Sequence, residues 1–232
     1  MKYMGLYQKI IKWKSKIYDN FLINPKIVRL SIISSAIVFF SAIIIGYIVA
    51  QFDPDGYNIV NNYISDLGSF NHTPLPYFLD YGAMITSILL IPSAYYMEKQ
   101  LAPSPLDYSE FPRMRYRLSG LGSFFNFMGL FGFFMIGLFS EDRTTPLGLH
   151  FLFSHVVFAG LILSSFFYGL LILFYKTEIP RVVGVYMAIV PITAGIIFLV
   201  TYAPFYEWIM LFALLIWISP VHAIFVKNLN KK

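Results

Sequence analysis

The lysines and arginines of this chain are sorted by side, and that sorting constrains the fold more than any other feature. Six apolar stretches of about 20 residues, Leu30 to Ala50, Pro76 to Met97, Leu118 to Phe139, Gly148 to Tyr175, Val182 to Ala203 and Trp208 to Val226, are each long enough to cross roughly 30 Å of hydrocarbon as a helix. Of the 17 basic residues, 16 fall before the first stretch or in alternate connections after it. The N-terminal segment carries Lys2, Lys9, Lys12, Lys14, Lys16, Lys26 and Arg29; the second connection carries Lys99, Arg113, Arg115 and Arg117. The fourth connection carries Lys176 and Arg181, and the tail Lys227, Lys231 and Lys232; Arg143 alone falls on the other side. The positive-inside rule then predicts cytoplasmic N- and C-termini and three outer loops. The expected fold is all-α: a multi-pass cell-membrane protein with a six-helix transmembrane bundle over residues 30–226. A basic interfacial segment over 1–29 precedes it and a cytoplasmic tail over 227–232 follows.

A hydrophobic share of 58% against 12% charged residues is that of a membrane protein and excludes a soluble globular or disordered chain. The net charge of +5 combines two unlike sides, with 16 basic and 5 acidic residues inside and 1 and 7 outside. That asymmetry follows topology and anionic lipid, so nucleic acid is not an expected partner. The absence of cysteine excludes disulfides, thiol nucleophiles and thiolate metal sites. About 29 polar, lysine-rich residues precede the first span, which is expected to act as its own insertion signal.

Tyr3, Leu6, Tyr7, Ile10, Trp13, Ile17 and Phe21 recur at helical spacing, with Lys2, Lys9, Lys12 and Lys16 on another face. This pattern predicts an interfacial helix on the inner leaflet. In the first outer loop, Asp53 and Pro54 read as N-cap and first helical position, and Gly68 as a left-handed stop. Tyr57, Val60, Ile64 and Leu67 make one stripe between them, which predicts a short amphipathic helix. Asn71-His72-Thr73 beyond it is a glycosylation acceptor triplet. In the third span, Gly122, Asn126 and Gly129 stand at i, i+4, i+7 and read as a helix-packing seam, small residues admitting a neighbour and an amide seeking a partner. Pro92, Pro191 and Pro220 are expected to kink their helices. Short fourth and fifth connections make spans four, five and six antiparallel neighbours. No matched pair of interrupted spans is present, so the inverted-repeat transporter signature is missing.

Ionisable groups near a hydrocarbon boundary are costly, and here they gather at the outer face: Asp66, Asp80, Glu141, Asp142, His150, His155 and Glu207. Asp66, Asp80, His150 and His155 are the candidate acid-base residues. The competing structural reading is an Asp-His hydrogen bond joining spans two and four. His150 and His155 are five apart, which turns them about 140° from each other on a straight helix and makes a shared ion awkward. No metal and no cofactor are expected. Ser154 lies beside them without the glycine-flanked elbow of a serine nucleophile.

The run Asn61-Asn62-Tyr63-Ile64-Ser65-Asp66-Leu67-Gly68, followed by Pro74, Pro76, Phe78 and Gly82, resembles the signature after the first helix of domain-of-unknown-function family 998, six-helix membrane proteins of bacteria and archaea. It is also distantly similar to the "ISD-x-G" loop of the DRAM and FGF-receptor-activating-protein superfamily. That second resemblance implies a lipid-related role, since its members are linked to lipid remodelling, lipid asymmetry and scaffolding of lipid kinases. The implication attaches to Ile64, Ser65, Asp66 and Gly68, with Asn62 in the same loop motif. The expected function is a non-catalytic lipid-associated or partner-binding membrane protein, with membrane lipid and a membrane protein or second copy as partners. An outer-leaflet lipid-modifying enzyme with an Asp/His site is the alternative, and a small-solute transporter the third.

Overall fold

Five helices are long and apolar enough to cross a membrane unaided, and a bent pair of shorter ones passes the same test when the two are taken together. The computed structural model describes residues 16–102, 113–143 and 147–229. In order these helices are α1 (Pro25–Ala50), α2 (Tyr77–Leu89), α3 (Ile91–Leu101), α4 (Arg113–Leu138), α5 (Leu149–Phe174), α6 (Arg181–Thr201) and α7 (Pro204–Leu229). No strand occurs among the described residues. The chain is a multi-pass helical membrane protein.

Local chemistry sets the boundaries. Helix α1 starts earlier than the apolar run does, because the Asn24 side chain accepts the Lys26 N–H at 3.0 Å and Pro25 sits in the first turn, where a missing donor costs nothing. The second span breaks at Leu90, just before Pro92, and α2 and α3 meet at 40°. Pro191 and Pro220 instead sit inside unbroken α6 and α7. Tyr202, at φ 48°, turns the chain from α6 into α7. The expected interfacial helix falls outside the described residues up to residue 15, and the described remainder ends in a π-helical turn, Tyr18–Leu22, whose Tyr18 ring meets Tyr95 of α3 edge-on.

Spans four, five and six are sequential neighbours, α5 against α6 and α6 against α7. Helix α4 lies closest to α5. A Cβ on Gly160 would come within 2.5 Å of the Gly129 nitrogen, so the two backbones touch where both residues lack side chains. On the same face of α4, Gly122 lies under the Tyr168 ring and Asn126 is buried between the two glycines. A core of Tyr96, Tyr168, Met187, Trp217 and Phe225 fills the half of the bundle away from the 51–76 loop. A smaller cluster of Ala50, Tyr57, Leu67 and Trp208 seats that loop on the helix ends.

The loop corrects the sequence expectation. An amphipathic helix from Asp53 to Leu67 does not form; the segment is a chain of turns that ends in one 3-10 turn, Ser65–Gly68. Its asparagines and aspartate explain this, since short polar side chains compete for the N–H groups a helix would use. Asp53 Oδ1 accepts from Asp55 N, Asn58 Oδ1 from Val60 N and Asn61 N, and Asn62 Oδ1 from Asn58 N, all between 3.0 and 3.1 Å. Gly68 is also not a left-handed stop, because positive φ among glycines is confined to Gly56 and Gly148 in the described residues. Its need is steric: a Cβ there would lie 2.8 Å from Asp80 Oδ1.

Candidate functional site at the loop end

The 3-10 turn carries Asp66 into the protein, 4% exposed, where Oδ2 accepts the Tyr63 N–H at 2.8 Å. Its other oxygen, Oδ1, lies 3.9 Å from His72 Nε2. Glu141, on the connection between α4 and α5, closes the group: Asp66, His72 and Glu141 each offer one ligand-type atom within 4.8 Å of the other two. Glu141 Oε2 is buried, and its carboxyl faces another carboxyl. Burial, the Asp66 charge and hydrogen bond, and then Asp142 and Glu207 push the Glu141 carboxyl up to about 8. Near neutral pH the Glu141 carboxyl therefore keeps its proton. One imidazole nitrogen and two carboxylate oxygens also form a donor set that suits a borderline divalent cation.

Next to this group stands a clamp built on Arg143. Its guanidinium pairs with Asp80 at the start of α2, donates to the Gly68 carbonyl at 2.9 Å, and reaches Asp142 Oδ1 at 3.1 Å. The Phe70 and Tyr77 rings flank it, each centroid 5.3 Å from the guanidinium carbon. Asp142 Oδ2 in turn accepts the Phe70 N–H at 2.7 Å. Arg143 thereby joins the 65–70 loop, α2 and the α4–α5 connection through one planar cation with several donors.

Glu207, 6% exposed at the start of α7, ties the motif from the opposite side. Its carboxylate accepts the N–H groups of Ile64, at 2.6 Å, and of Ser65. Trp208 Nε1 donates to the Asn62 carbonyl at 3.1 Å, and Tyr63 donates from its hydroxyl to the Tyr202 carbonyl at 2.5 Å. The motif residues Asn62, Ile64, Ser65, Asp66 and Gly68 are thus held mainly by backbone contacts to three separate elements.

Asp66, Asp80 and His150 are brought to one end of the bundle, and His155 is not. His150 Nδ1 lies 2.7 Å from the Phe139 carbonyl, and its ring feels the charges of Asp66 and Asp142. His155, most of a half-turn away, contacts its own helix at Phe151 O, 2.8 Å, with its ring against the Phe151 ring. Asp80 pairs with Arg143, so the expected Asp-His bond between spans two and four is replaced by an ion pair, the stronger partner being a permanent cation. Sequence reasoning leaves Arg143 and His72 out of the site and places Glu141 and Glu207 at its face without naming them as acid-base candidates. For Arg143 a signal existed, as the one cation on the acidic side.

Beneath the cluster lies a cavity of about 780 Å³. Ser65, Asp80, His150 and Glu207 line its loop end, and His222 and Lys227 its far end. Between these the walls are mostly apolar, with contributions from α1 to α5 and α7. Ile33, Ile37 and Phe40 of α1 line it and are also exposed on the outside, so the cavity reaches the lateral surface of the bundle.

Comparison with known proteins finds no match among curated sequences and none among solved structures. A family pattern does match, beginning inside α1 and ending inside α7, and it takes in every residue of the acidic cluster and of the Arg143 clamp. The match spans residues 35–223, and on it the chain belongs to DUF998, a family of proteins of unknown function.

Proposed function

We propose that this protein is a lipid-associated accessory protein of the cell membrane, oriented with its loop end outward and both termini cytoplasmic, that holds a lipid hydrocarbon chain inside its bundle. The orientation rests on the 16-to-1 division of basic residues. Reporter tags at Gly5, Ser104 and Lys232 should be cytoplasmic and tags at Asn71 and Thr144 external. The lipid reading rests on one observation, the apolar cavity of about 780 Å³ that meets the lateral surface at Ile33, Ile37 and Phe40. This volume lies within the roughly 300 to 1,000 Å³ range of ligand pockets. A hydrocarbon tail can enter it from the bilayer without crossing water. The test is photolabelling in native membranes with a lipid carrying a photoreactive group along its chain. Adducts should map to Ile37 and Phe40 and to cavity-lining Leu214, which bilayer lipid outside the bundle does not reach. Labelling confined to outward-facing residues such as Leu30 and Ile44 would reject the reading.

A second reading, an outer-leaflet lipid-modifying enzyme, is favoured by the Asp66, His72 and Glu141 group beside the polar end of the cavity. General acid-base chemistry contributes roughly 100-fold or more, so His72→Gln should cut turnover by about that factor while leaving the fold intact. A lipid profile that changes in cells carrying His72→Gln as it does on deletion would favour the enzyme over the accessory protein.

A further inference from the structure

The cavity has two further properties, a length and a charge polarity. On α7 its lining runs from Glu207 to Lys227, twenty residues and about 30 Å of helix, close to the hydrocarbon thickness of a bilayer. The lining along that length is mostly apolar. The two ends differ in charge: the loop end carries the Glu207 carboxylate and Asp80, the latter already paired with Arg143, and the other end carries His222 and Lys227. An anionic head would meet the Glu207 carboxylate at the first and cationic or hydrogen-bonding groups at the second, so the second suits it better.

We infer that the occupant is an amphiphile with an anionic head beside Lys227 and His222 and a hydrocarbon tail running toward Leu211. This rests on the lipid-binding reading and narrows it. From Lys227 to Leu211 is sixteen residues, about 24 Å. A zigzag of about 1.5 Å bonds advances roughly 1.25 Å per carbon, so a chain of about 18 carbons fills that stretch and stops short of Glu207. A carboxylate head identifies a free fatty acid and a phosphate head a phospholipid.

The experiment measures binding to the full chain in detergent, delipidated beforehand, of saturated fatty acids from about 12 to about 22 carbons, stearyl alcohol, a one-chain phosphatidic acid and a two-chain phosphatidic acid. One acid per protein is expected, tightest near about 18 carbons, with stearyl alcohol weaker by about tenfold. Lys227 is exposed, so Lys227→Gln should stay folded. It should weaken the acids by about fivefold and leave the alcohol unchanged. Ala83→Phe, which projects a ring into the tail end, should move the optimum to shorter chains. If either phosphatidic acid outbinds the fatty acids, the head is phosphate; the reverse order makes it carboxylate. Equal loss of acid and alcohol in Lys227→Gln overturns this inference and leaves lipid binding standing. Binding of none of these probes overturns both.

Discussion

The two ends of the bundle are held together by different physics. Away from the loop, Tyr96, Tyr168, Met187, Trp217 and Phe225 interlock in an apolar core, with polar contacts such as Ser123 to Glu98 and Arg115 to the Leu101 carbonyl at its edge. At the loop end, the connections are joined by carboxylates and one guanidinium that reach backbone groups on other elements: Asp66 to Tyr63, Glu207 to Ile64, Arg143 to Gly68 and Asp142 to Phe70. Dispersion and apolar burial respond weakly to pH and salt, whereas buried charges depend strongly on their partners. The helical core can therefore stay fixed while the cap over the cavity is tuned.

The largest expected effect lies in the apolar end. Phe225→Ala should cost about 3 kcal/mol or more by leaving a cavity against Tyr96, and the loss should be the same at low and high salt. Thermal melts in detergent check this, and a strong salt dependence would break the comparison.

Arg143→Met should cost nearly as much, about 3 kcal/mol, because it strands the buried Asp80 carboxylate. Adding Asp80→Asn to Arg143→Met should recover part of the loss, which a double-mutant cycle measures. Hydrogen exchange should rise at residues 63–70 and the first turn of α2 and stay unchanged around Trp217. Uniform exchange across the bundle would mean that the two ends do not act separately.

Gly68→Ala should cost about 1 to 3 kcal/mol through the collision of its Cβ with Asp80, with no contribution from backbone strain. Gly68→Ala paired with Asp80→Ala should relieve the collision; an undiminished loss, read by thermal melts, would point to another cause.

The smallest effect is a titration. Glu141 is raised from 4.5 to about 8, so the stability it contributes is fully present below a pH of about 4.5 and is lost as the pH rises through about 8. In chelator-treated protein, the protection of Tyr63 and Ile64 against exchange, taken relative to the intrinsic base-catalysed rate at each pH, should fall between pH 6 and pH 9. Glu141→Gln should flatten that profile, and a variant that keeps the wild-type slope would assign the titration to another group.

The helices were legible because about 20 consecutive apolar residues leave few alternatives, and the break at Leu90 was announced by Pro92. The 51–76 loop was misread because apolar spacing alone suggested a helix, while Asn58 and Asn62 spent their side chains on local N–H groups. Sequence depth grouped the acids correctly at one end but gave no azimuth, which is why His155 was grouped with His150 although it faces away. Arg143 was visible only as an exception to the charge rule, and its role as clamp emerges when three connections fold over it. His72 stood out only as the middle of a glycosylation triplet. Its position beside Asp66 depends on the turn that follows Gly68.

Native mass spectrometry of the protein released from mild detergent, wild type beside Ala83→Phe, shows whether the bundle carries a lipid. One retained lipid-class adduct per wild-type chain is expected, and a depleted or shorter-chain adduct in a variant that melts like wild type. Wild-type protein that emerges bare, or an adduct that Ala83→Phe leaves unchanged in mass and occupancy, would contradict the lipid reading.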